Sequence, residues 1–261
     1  MILDTIADFT RIRVENSKLE ISPKEMKRLA KAMPRGDFPF ERALRARDFT
    51  VICEIKRASP SKGIIASNFP YLDIARSYEA AGADAISVLT EPDFFLGSNY
   101  YLSEIRGAVN TPLLRKDFTI DEYQIYEAKT IGADAVLLIC ALLDAATLRS
   151  FLDICHDLGL SALVEAHTEE EISKALDAGA TIIGVNNRDL KTFQVDLNTC
   201  LRLRPLVPES VLFVAESGIQ TKADIDLLKQ AKVNTVLIGE TLMKSPDKGA
   251  ALAELKGSDM T

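Results

Sequence analysis

The chain has 261 residues, of which 47% are hydrophobic and 26% are charged, and its formal net charge at pH 7 is −7. This is an ordinary globular composition, and the acidic balance argues against nucleic acid or an anionic membrane as a partner. The longest apolar run, 135–143, is too short to span a bilayer, and the N-terminus has no signal-peptide pattern. Because Cys53, Cys140, Cys155 and Cys200 form no CxxC pair, we expect buried reduced thiols and a cytoplasmic location.

Two helices are predicted before the first strand of the chain. Apolar residues recur at helical spacing over 2–18, and the Ser–Pro pair at 22–23 is typical of the start of a second helix, Pro23–Ala32. We expect residues 1–47 to form a helical extension that either covers the bottom of the fold or leans over its open end. No linker marks a second domain, so residues 1–261 are expected to form one domain.

Short apolar runs and amphipathic stretches alternate along the rest of the chain. The segments AGADAISVLTEP, IGADAVLLICAL, AGATIIGVNNRD and AKVNTVLIGE each end a helical stretch, turn on a small residue or Asn, and enter an apolar run. The runs are continuous rather than alternating, as expected for parallel strands that are buried on both faces. The predicted strands are 51–56, 85–89, 113–116, 135–139, 162–165, 182–186, 211–215 and 235–238.

This strict alternation of strands and helices indicates a parallel sheet. Eight strand–helix units in about 210 residues fit a closed barrel, whose usual length is about 250 residues. The alternative is a doubly wound open sheet, which is less favoured because no GxGxxG motif follows the first strand. We therefore predict an α/β fold, a (β/α)8 TIM barrel with an N-terminal helical extension.

Polar residues concentrate at the predicted carboxyl ends of these strands, where barrels of this kind carry their chemistry. Glu54 and Lys56 are two positions apart on a strand and therefore share one face. Burying charged groups is costly unless they pair, so several ionisable strand ends that meet at one edge indicate a functional site. These strand-end residues are Glu54, Lys56, Glu91, Arg115, Lys116, Asp117, Glu165, Asn186, Arg188, Glu216 and Glu240.

The loops after the last two predicted strands are compatible with a phosphate site. Ser217 and Gly218 follow the seventh strand, and Gly239 and Glu240 follow the eighth and open the helical stretch ETLMK. Barrels of this kind often bind phosphate there, on backbone N–H groups at the start of a short helix. The carboxylate of Glu240 is unfavourable beside an anion unless it points outward.

The loop SPSKG at 59–63 follows the first predicted strand and is long enough to act as a lid. Ser59 and Lys62 in this loop could donate hydrogen bonds to an anion. The alternative interpretation is a flexible surface loop, and the sequence alone leaves both open.

Several long segments of the chain match the motifs of a known family, in the same order, between about residues 51 and 243. They are EIKRASPSKG, VLTEPDFFLGS, PLLRKDF, GADAVLLI, LVEAH, IGVNNRDLKTFQVDL, AESGI and VLIGETLM. With these motifs and its helical N-terminal extension, the chain resembles the stand-alone form of the indole-3-glycerol phosphate synthase family. One departure is Ala166 in LVEAH, where a bulkier apolar residue is more usual; it affects packing rather than Glu165.

The resemblance implies a carboxy-lyase that acts on 1-(2-carboxyphenylamino)-1-deoxyribulose 5-phosphate. The ring closes with loss of CO2 and water and gives indole-3-glycerol phosphate for tryptophan biosynthesis. Nothing in this reaction requires a metal or an organic cofactor. The expected partner is therefore a phosphorylated small molecule, and we expect the chain to be a monomer or a weak dimer.

The resemblance also implies roles for individual residues. By motif position, Lys116 would be the general acid that protonates the substrate carbonyl, and Glu165 would be the general base or acid of the dehydration. Glu54 and Lys56 would position these groups and balance their charge. The remaining implied positions are Asn186 and Glu216 for a substrate hydroxyl or developing charge, Glu91 and Arg188 for binding, and Ser59, Ser217, Gly218 and Gly239 for the phosphate.

Other functions account for part of the pattern. A Schiff-base aldolase on the same barrel would use Lys116 or Lys56 as its nucleophile. A phosphate-binding isomerase of similar architecture would not need this set of motifs. A non-catalytic sensor of a phosphorylated metabolite would lack the ring of acid–base groups, which this chain keeps. His156 and His167 have no carboxylate at a metal-ligand spacing, so we expect solvated or helix-capping roles for them.

Overall fold

The computed structural model of the protein describes residues 2–189 and 191–257 and contains a closed barrel of eight parallel strands. Each strand pairs with the next one in sequence, and the first strand also pairs with the last. Met1, Leu190 and 258–261, which the predicted domain of 1–261 includes, lie outside the described residues. The strands are β1 (Thr50–Ile55), β2 (Ala85–Leu89), β3 (Leu113–Lys116), β4 (Ala135–Ile139), β5 (Ser161–Ala166), β6 (Ile182–Asn186), β7 (Leu212–Glu216) and β8 (Thr235–Ile238).

The predicted (β/α)8 barrel is confirmed. The predicted bounds of β2, β3, β4, β6 and β8 agree with the structure, and those of the other three strands differ by one residue at their ends. These ends depend on which residues join the hydrogen-bonded ladder, and that depends on the neighbouring strands rather than on the apolar run itself.

Three helices precede the barrel: α1 (Ile2–Glu20), α2 (Pro23–Ala32) and α3 (Pro39–Arg45). The side chain of Ser22 accepts a hydrogen bond from the backbone N–H of Glu25, which confirms the predicted start of α2. The sequence did not predict α3. The helices that follow are α4 (Tyr71–Ala80), α5 (Asn99–Ala108), α6 (Glu122–Thr130), α7 (Ala145–Leu158), α8 (Glu169–Ala178), α9 (Asn198–Leu203), α10 (Lys222–Gln230), α11 (Glu240–Lys244) and α12 (Lys248–Lys256).

The alternation of side chains along each strand divides the core into two layers. In β1, Val51 and Cys53 pack against the outer helices, whereas Ile52 belongs to the apolar cluster inside the barrel. Since side chains two positions apart share a face, Glu54 and Lys56 continue the inward row that Ile52 begins. The inner cluster consists of Phe40, Leu44, Ile52, Ala85, Leu114, Ala135, Leu137, Ile139, Leu163, Ile182, Leu212, Val214 and Leu237.

The N-terminal extension reaches both ends of the barrel. Phe40 and Leu44 of α3 are completely buried in the inner cluster. The backbone N–H of Glu41 donates to the Oγ of Ser161, the first residue of β5, at 3.1 Å, so α3 closes the amino-terminal end of the barrel. The helix α1 lies at the opposite end, over the cavity described below. The two alternatives for residues 1–47 are therefore both realised, by different helices.

All four cysteines are free and buried, as the sequence predicted. Burial raises the pKa of the Cys140, Cys155 and Cys200 thiols to about 12, which keeps them protonated and unreactive at neutral pH. Of the helices in the described ranges, none combines the length and apolar character that a bilayer span requires.

We expect Phe40→Ala to lower the free energy of unfolding by about 3–5 kcal/mol, because it leaves a cavity at the closed end of the barrel. Urea unfolding followed by far-UV circular dichroism measures this change. Leu19→Ala, at a residue of α1 that is 86% exposed, is the control and should change stability by no more than about 0.5 kcal/mol. Equal effects of the two substitutions would contradict the role assigned to α3.

Candidate active site

A cavity of about 720 Å³, here called the cup, opens at the carboxyl ends of the strands. It is the place where enzymes with this barrel carry their active sites. The structure brings together there all of the predicted site residues except Glu91 and Arg115, the second of which does not line the cavity and pairs with Glu127 and Asp117. Those that line the cup are Glu54, Lys56, Ser59, Lys62, Lys116, Asp117, Glu165, Asn186, Arg188, Glu216, Ser217, Gly218, Gly239 and Glu240.

At the centre of the cup, one ammonium group lies between two buried carboxylates. Lys116 Nζ is 3.2 Å from Glu165 Oε2 and 3.3 Å from Glu216 Oε2. Asn186 Nδ2 donates to Glu165 Oε1 at 3.4 Å. These four residues stand at the carboxyl ends of β3, β5, β6 and β7, in rows that face the barrel interior. A single small molecule can therefore touch Lys116 and Glu165 at once.

The pKa values of this cluster move in different directions. Burial alone would lower the pKa of Lys116, but the negative charges of Glu216, Glu165 and Glu54 outweigh it and raise that pKa above its ordinary value. Burial raises the pKa of Glu216 to about 7, and the charges of Glu165 and Glu54 add to this effect. Burial also acts on Glu165, but the positive charges of Lys116 and His167 lower its pKa overall. At neutral pH the cluster thus holds a charged lysine, an ionised Glu165 and a Glu216 that can carry a proton.

Two inward-facing glycines leave room for the carboxylates. A Cβ atom at Gly184 of β6 would overlap Glu216 Oε1, and one at Gly239 would overlap Glu54 Oε2 and approach Lys56 Nζ to 3.1 Å. Glu54 and Lys56 form an ion pair with each other, as their shared face predicted. The acid–base groups consequently fit inside the barrel because these two positions have no side chain.

On the side of the cup near β7 and β8, three further cations surround Glu240. Glu240 lies 3.7 Å from Lys62, 3.6 Å from Arg188 and 2.7 Å from Lys244. The Glu240 carboxylate therefore does not have to point outward to be compatible with an anion, because the three cations offset its charge. Ser217 adopts a left-handed conformation with φ of 66° in the turn after β7.

The loop 59–63 faces the cup as well as the solvent. It is built on two short antiparallel strands, Ala58–Ser59 and Gly63–Ile64, and residues 59–62 line the cavity. Ser59 is buried, whereas Lys62 is exposed and reaches across to Glu240. This placement favours the interpretation of the loop as a lid over its interpretation as a surface loop that makes no contact with the site.

Glu91 lies outside the cup, although the sequence placed it among the binding residues. Its carboxylate is buried and accepts hydrogen bonds from the backbone N–H groups of Asp93, Phe94 and Phe95 at 2.8–3.0 Å. Carboxylates that accept several backbone N–H groups hold a turn in place. Glu91 therefore shapes the loop after β2, and that loop in turn brings Phe95 to the wall of the cup.

An apolar wall of the cup was not predicted. Ile2, Leu3 and Ile6 of α1 line it together with Phe95 and Phe118, whose ring centroids are 6.0 Å apart. Apolar residues on an amphipathic helix give no indication of what they pack against, so the sequence could not assign them to the site.

The helix α1 is fixed over the cup by an ion pair next to Lys116. Arg13 donates to both carboxylate oxygens of Asp117, at 2.9 and 2.6 Å, and Thr90 Oγ1 donates to the same group at 2.6 Å. Although burial opposes ionisation, Arg13 and Arg115 bring the pKa of Asp117 down to about 2. The residue beside Lys116 thus ties the extension to the barrel.

His167 is a further neighbour of the site that the sequence did not predict. It follows Glu165 by two positions, the same spacing that pairs Glu54 with Lys56, and its Nε2 lies 3.4 Å from Glu165 Oε1. That spacing was the available signal. Within residues 2–189 and 191–257, no group of three or more His, Cys, Asp or Glu side chains is arranged to hold a metal ion.

Comparison with models of known protein families identifies the family of the chain. The family model described as indole-3-glycerol phosphate synthase matches residues 3–255. The chain belongs to the indole-3-glycerol phosphate synthase family. The resemblance read from the motifs is therefore confirmed.

Curated relatives in the indole-3-glycerol phosphate synthase family match nearly the whole chain. The indole-3-glycerol phosphate synthase of Ruminiclostridium cellulolyticum is 60% identical over 259 residues, which cover 99% of this chain and 100% of the relative. That of Endomicrobium trichonymphae is 57% identical over 257 residues, covering 98% of this chain and 100% of the relative. Among solved structures, 3-hexulose-6-phosphate synthase superposes with a TM-score of 0.65 at 17% identity, over 80% of this chain and 99% of that one. This last similarity concerns the fold alone.

The substitution Gly184→Ala tests the room that β6 leaves for Glu216. We expect a fall in kcat/KM for the family reaction by about 10²-fold, since a displacement of about 1 Å at a catalytic group can cost that much. Gly107→Ala in α5 is the matched control, because a Cβ there meets nothing within 4 Å. Full activity in a folded Gly184→Ala enzyme would contradict this account of the packing.

The raised pKa of Glu216 predicts a pH-dependent stability. The folded state holds the Glu216 proton up to about pH 7, whereas the unfolded chain releases it near 4.5, so its stabilising effect is lost as the pH rises through this window. We expect Glu216→Gln to be more stable than the wild type at pH 8, by about 1–3 kcal/mol. At pH 5.5 this gain in stability should be smaller. Urea unfolding at both pH values measures the difference. The same change at the exposed Glu20 should show no such trend.

Proposed function

We propose that the groups in the cup carry out, in the roles given below, the reaction of the family to which the chain belongs. The enzyme is a carboxy-lyase, an indole-3-glycerol phosphate synthase. It closes the ring of 1-(2-carboxyphenylamino)-1-deoxyribulose 5-phosphate, with loss of CO2 and water, to give indole-3-glycerol phosphate in tryptophan biosynthesis. The contact of Lys116 with both Glu165 and Glu216 is the observation that most supports the assignment of roles.

Lys116 acts as the general acid of the ring closure. The ring carbon that bears the carboxylate attacks the carbonyl carbon, a C–C bond forms, and the carbonyl electron pair moves to oxygen. The alkoxide that develops is a stronger base than the amine of Lys116, so the ammonium proton moves to that oxygen even though the carboxylates raise the pKa of the lysine. CO2 then leaves, and the electrons of the broken C–C bond restore the aromatic ring.

Glu165 and Glu216 divide the dehydration between them. The new hydroxyl must leave with a proton, and the neighbouring CH2 group must lose one. The lowered pKa of Glu165 suits the base that removes the CH2 proton, and the raised pKa of Glu216, about 7, suits the acid that donates to the leaving hydroxyl. Carboxyl groups whose pKa values are pushed apart can perform opposite functions at one pH.

The two anionic groups and the aromatic ring of the substrate find complementary parts of the cup. Lys62 and Arg188, with Ser59 and the backbone of the turn at Ser217, are proposed to bind the phosphate. Lys56, paired with Glu54, is proposed to balance charge beside Lys116. The aromatic ring is proposed to lie against the apolar wall, where the aromatic side chains offer edge or offset stacking.

We also propose that the chain forms one domain with its extension and acts in the cytoplasm as a monomer or weak dimer. Side chains from α1 and from the barrel line the same cup, which supports treating residues 1–47 as part of the catalytic domain. The four buried thiols are free, as expected in a reducing compartment.

The charge state of Lys116 argues against the Schiff-base aldolase. A lysine that attacks a carbonyl must be a neutral amine, and such lysines have a lowered pKa. Here the surrounding carboxylates raise the pKa of Lys116. This cluster thus favours proton donation over nucleophilic attack.

We expect Lys116→Met and Glu165→Gln each to lower kcat by about 10²–10⁴-fold, the usual contribution of a positioned acid or base. Product formation can be followed by indole fluorescence on a dark background, because the chain contains no tryptophan. Lys24→Met, at an exposed residue of α2, is the control for loss of a lysine charge. A Lys116→Met enzyme that binds substrate and turns it over at the normal rate would refute the role of this lysine.

A further inference from the structure

The imidazole of His167 lies directly behind the proposed base. His167 follows the last residue of β5 and does not line the cup, so it does not touch a ligand there. Its Nε2 is 3.4 Å from Glu165 Oε1, and its Nδ1 is 3.4 Å from Glu171 Oε2. The side chain is 16% exposed, so these two carboxylates are its main polar surroundings.

The Nε2 atom of His167 has no aligned hydrogen bond to any of the described residues, although it is buried. A buried polar group without a hydrogen-bond partner is destabilising. Glu165 Oε1, 3.4 Å away, is an acceptor within reach, and it also accepts a hydrogen bond from the amide of Asn186. Catalytic hydrogen bonds that are long or misaligned in a free enzyme often tighten when substrate binds.

We propose that His167 is a positioning residue, which orients the Glu165 carboxylate through its Nε2–H and keeps it ionised while Glu171 holds the imidazole from the opposite side. This inference rests on the role of Glu165 proposed above. With His167 on Oε1 and Lys116 on Oε2, each oxygen of the base faces one cation.

The charges around His167 favour its protonated form. Burial alone would lower its pKa, but the hydrogen bond to Glu171 and the charges of the carboxylates raise it above the ordinary value. The cation Lys174 points away, to the carbonyl oxygens of Cys140 and Leu143. The other titratable or charged groups around Glu165 and His167 are Glu171 of α8, Glu216 of β7, Lys116 of β3 and Cys140 after β4.

Helix capping explains only part of this arrangement. The backbone N–H of His167 donates to Glu171 Oε2 at 2.7 Å, and Thr168 caps the start of α8. These contacts use the backbone of His167 and would exist with any side chain at that position. They leave the imidazole between two carboxylates unexplained. Glu171→Gln is therefore an informative variant, since the amide oxygen preserves the cap while the charge is removed.

A histidine NMR titration of the full chain tests the pairing without substrate. The chain has two histidines, so ¹⁵N-labelled protein gives two imidazoles, and the variant His156→Gln assigns them. We expect the pKa of His167 to lie above that of an ordinary histidine, and to fall in both Glu165→Gln and Glu171→Gln. A His167 pKa that is the same in all three proteins would overturn the inference, whether or not the role of Glu165 is correct.

The dependence of kcat/KM on pH tests the consequence for catalysis. In His167→Gln, Glu165 loses its neighbouring cation and its pKa rises. The acidic limb of the kcat/KM profile should therefore move to higher pH by about one unit or more. The activity at pH 8.5 should approach that of the wild type, which a misfolded variant would not do. The exposed His156→Gln should keep the wild-type profile. A His167→Gln enzyme with an unmoved acidic limb would refute a role of His167 in catalysis.

Discussion

The cup is organised by one ammonium group, that of Lys116, which lies between the buried carboxylates of Glu165 and Glu216. Two carboxylates at this depth would repel each other and lose their hydration, so neither is tolerated in ionised form without a cation at close range. The lysine lets Glu165 stay ionised, but it cannot compensate for both groups. Burial, together with the charges of Glu165 and Glu54, therefore raises the pKa of Glu216 to about 7. The acid and base roles proposed for Glu216 and Glu165 follow from this difference in pKa.

The barrel provides the geometry that such a cluster requires. Successive inward positions on one strand are apolar near the bottom and ionisable near the top, as in Leu114 followed by Lys116 and Leu163 followed by Glu165. The apolar layer excludes water from below, and α3 seals that layer at the amino-terminal end. The helix α1 covers the opposite end and is held there by the pair of Arg13 and Asp117, so the extension contributes to both stability and the site.

Much of the site could be predicted because its residues obey local rules. The two-residue spacing of Glu54 and Lys56 indicated a shared face, and the continuous apolar runs indicated strands that end at one rim. The same spacing applied to Glu165 would have pointed to His167. Glu91 was assigned to binding because it occupies a position in a family motif, yet its carboxylate turns back onto the N–H groups of its own loop. The direction of a side chain in an irregular loop depends on nearby donors, which the sequence does not display.

The sequence by itself determined the eight strands, the parallel barrel, the family and the rim at which the ionisable groups collect. The strands, the barrel and the rim arise from periodicity and order along the chain, and the family from the resemblance of its motifs; all of these can be recognised in short segments. Only the tertiary structure decided the distances among Lys116, Glu165 and Glu216, the cations that surround Glu240, and the apolar wall that α1 supplies. Those contacts join residues that are many positions apart in the chain. Their geometry is set by barrel closure and by the space left at Gly184 and Gly239, which no single segment encodes.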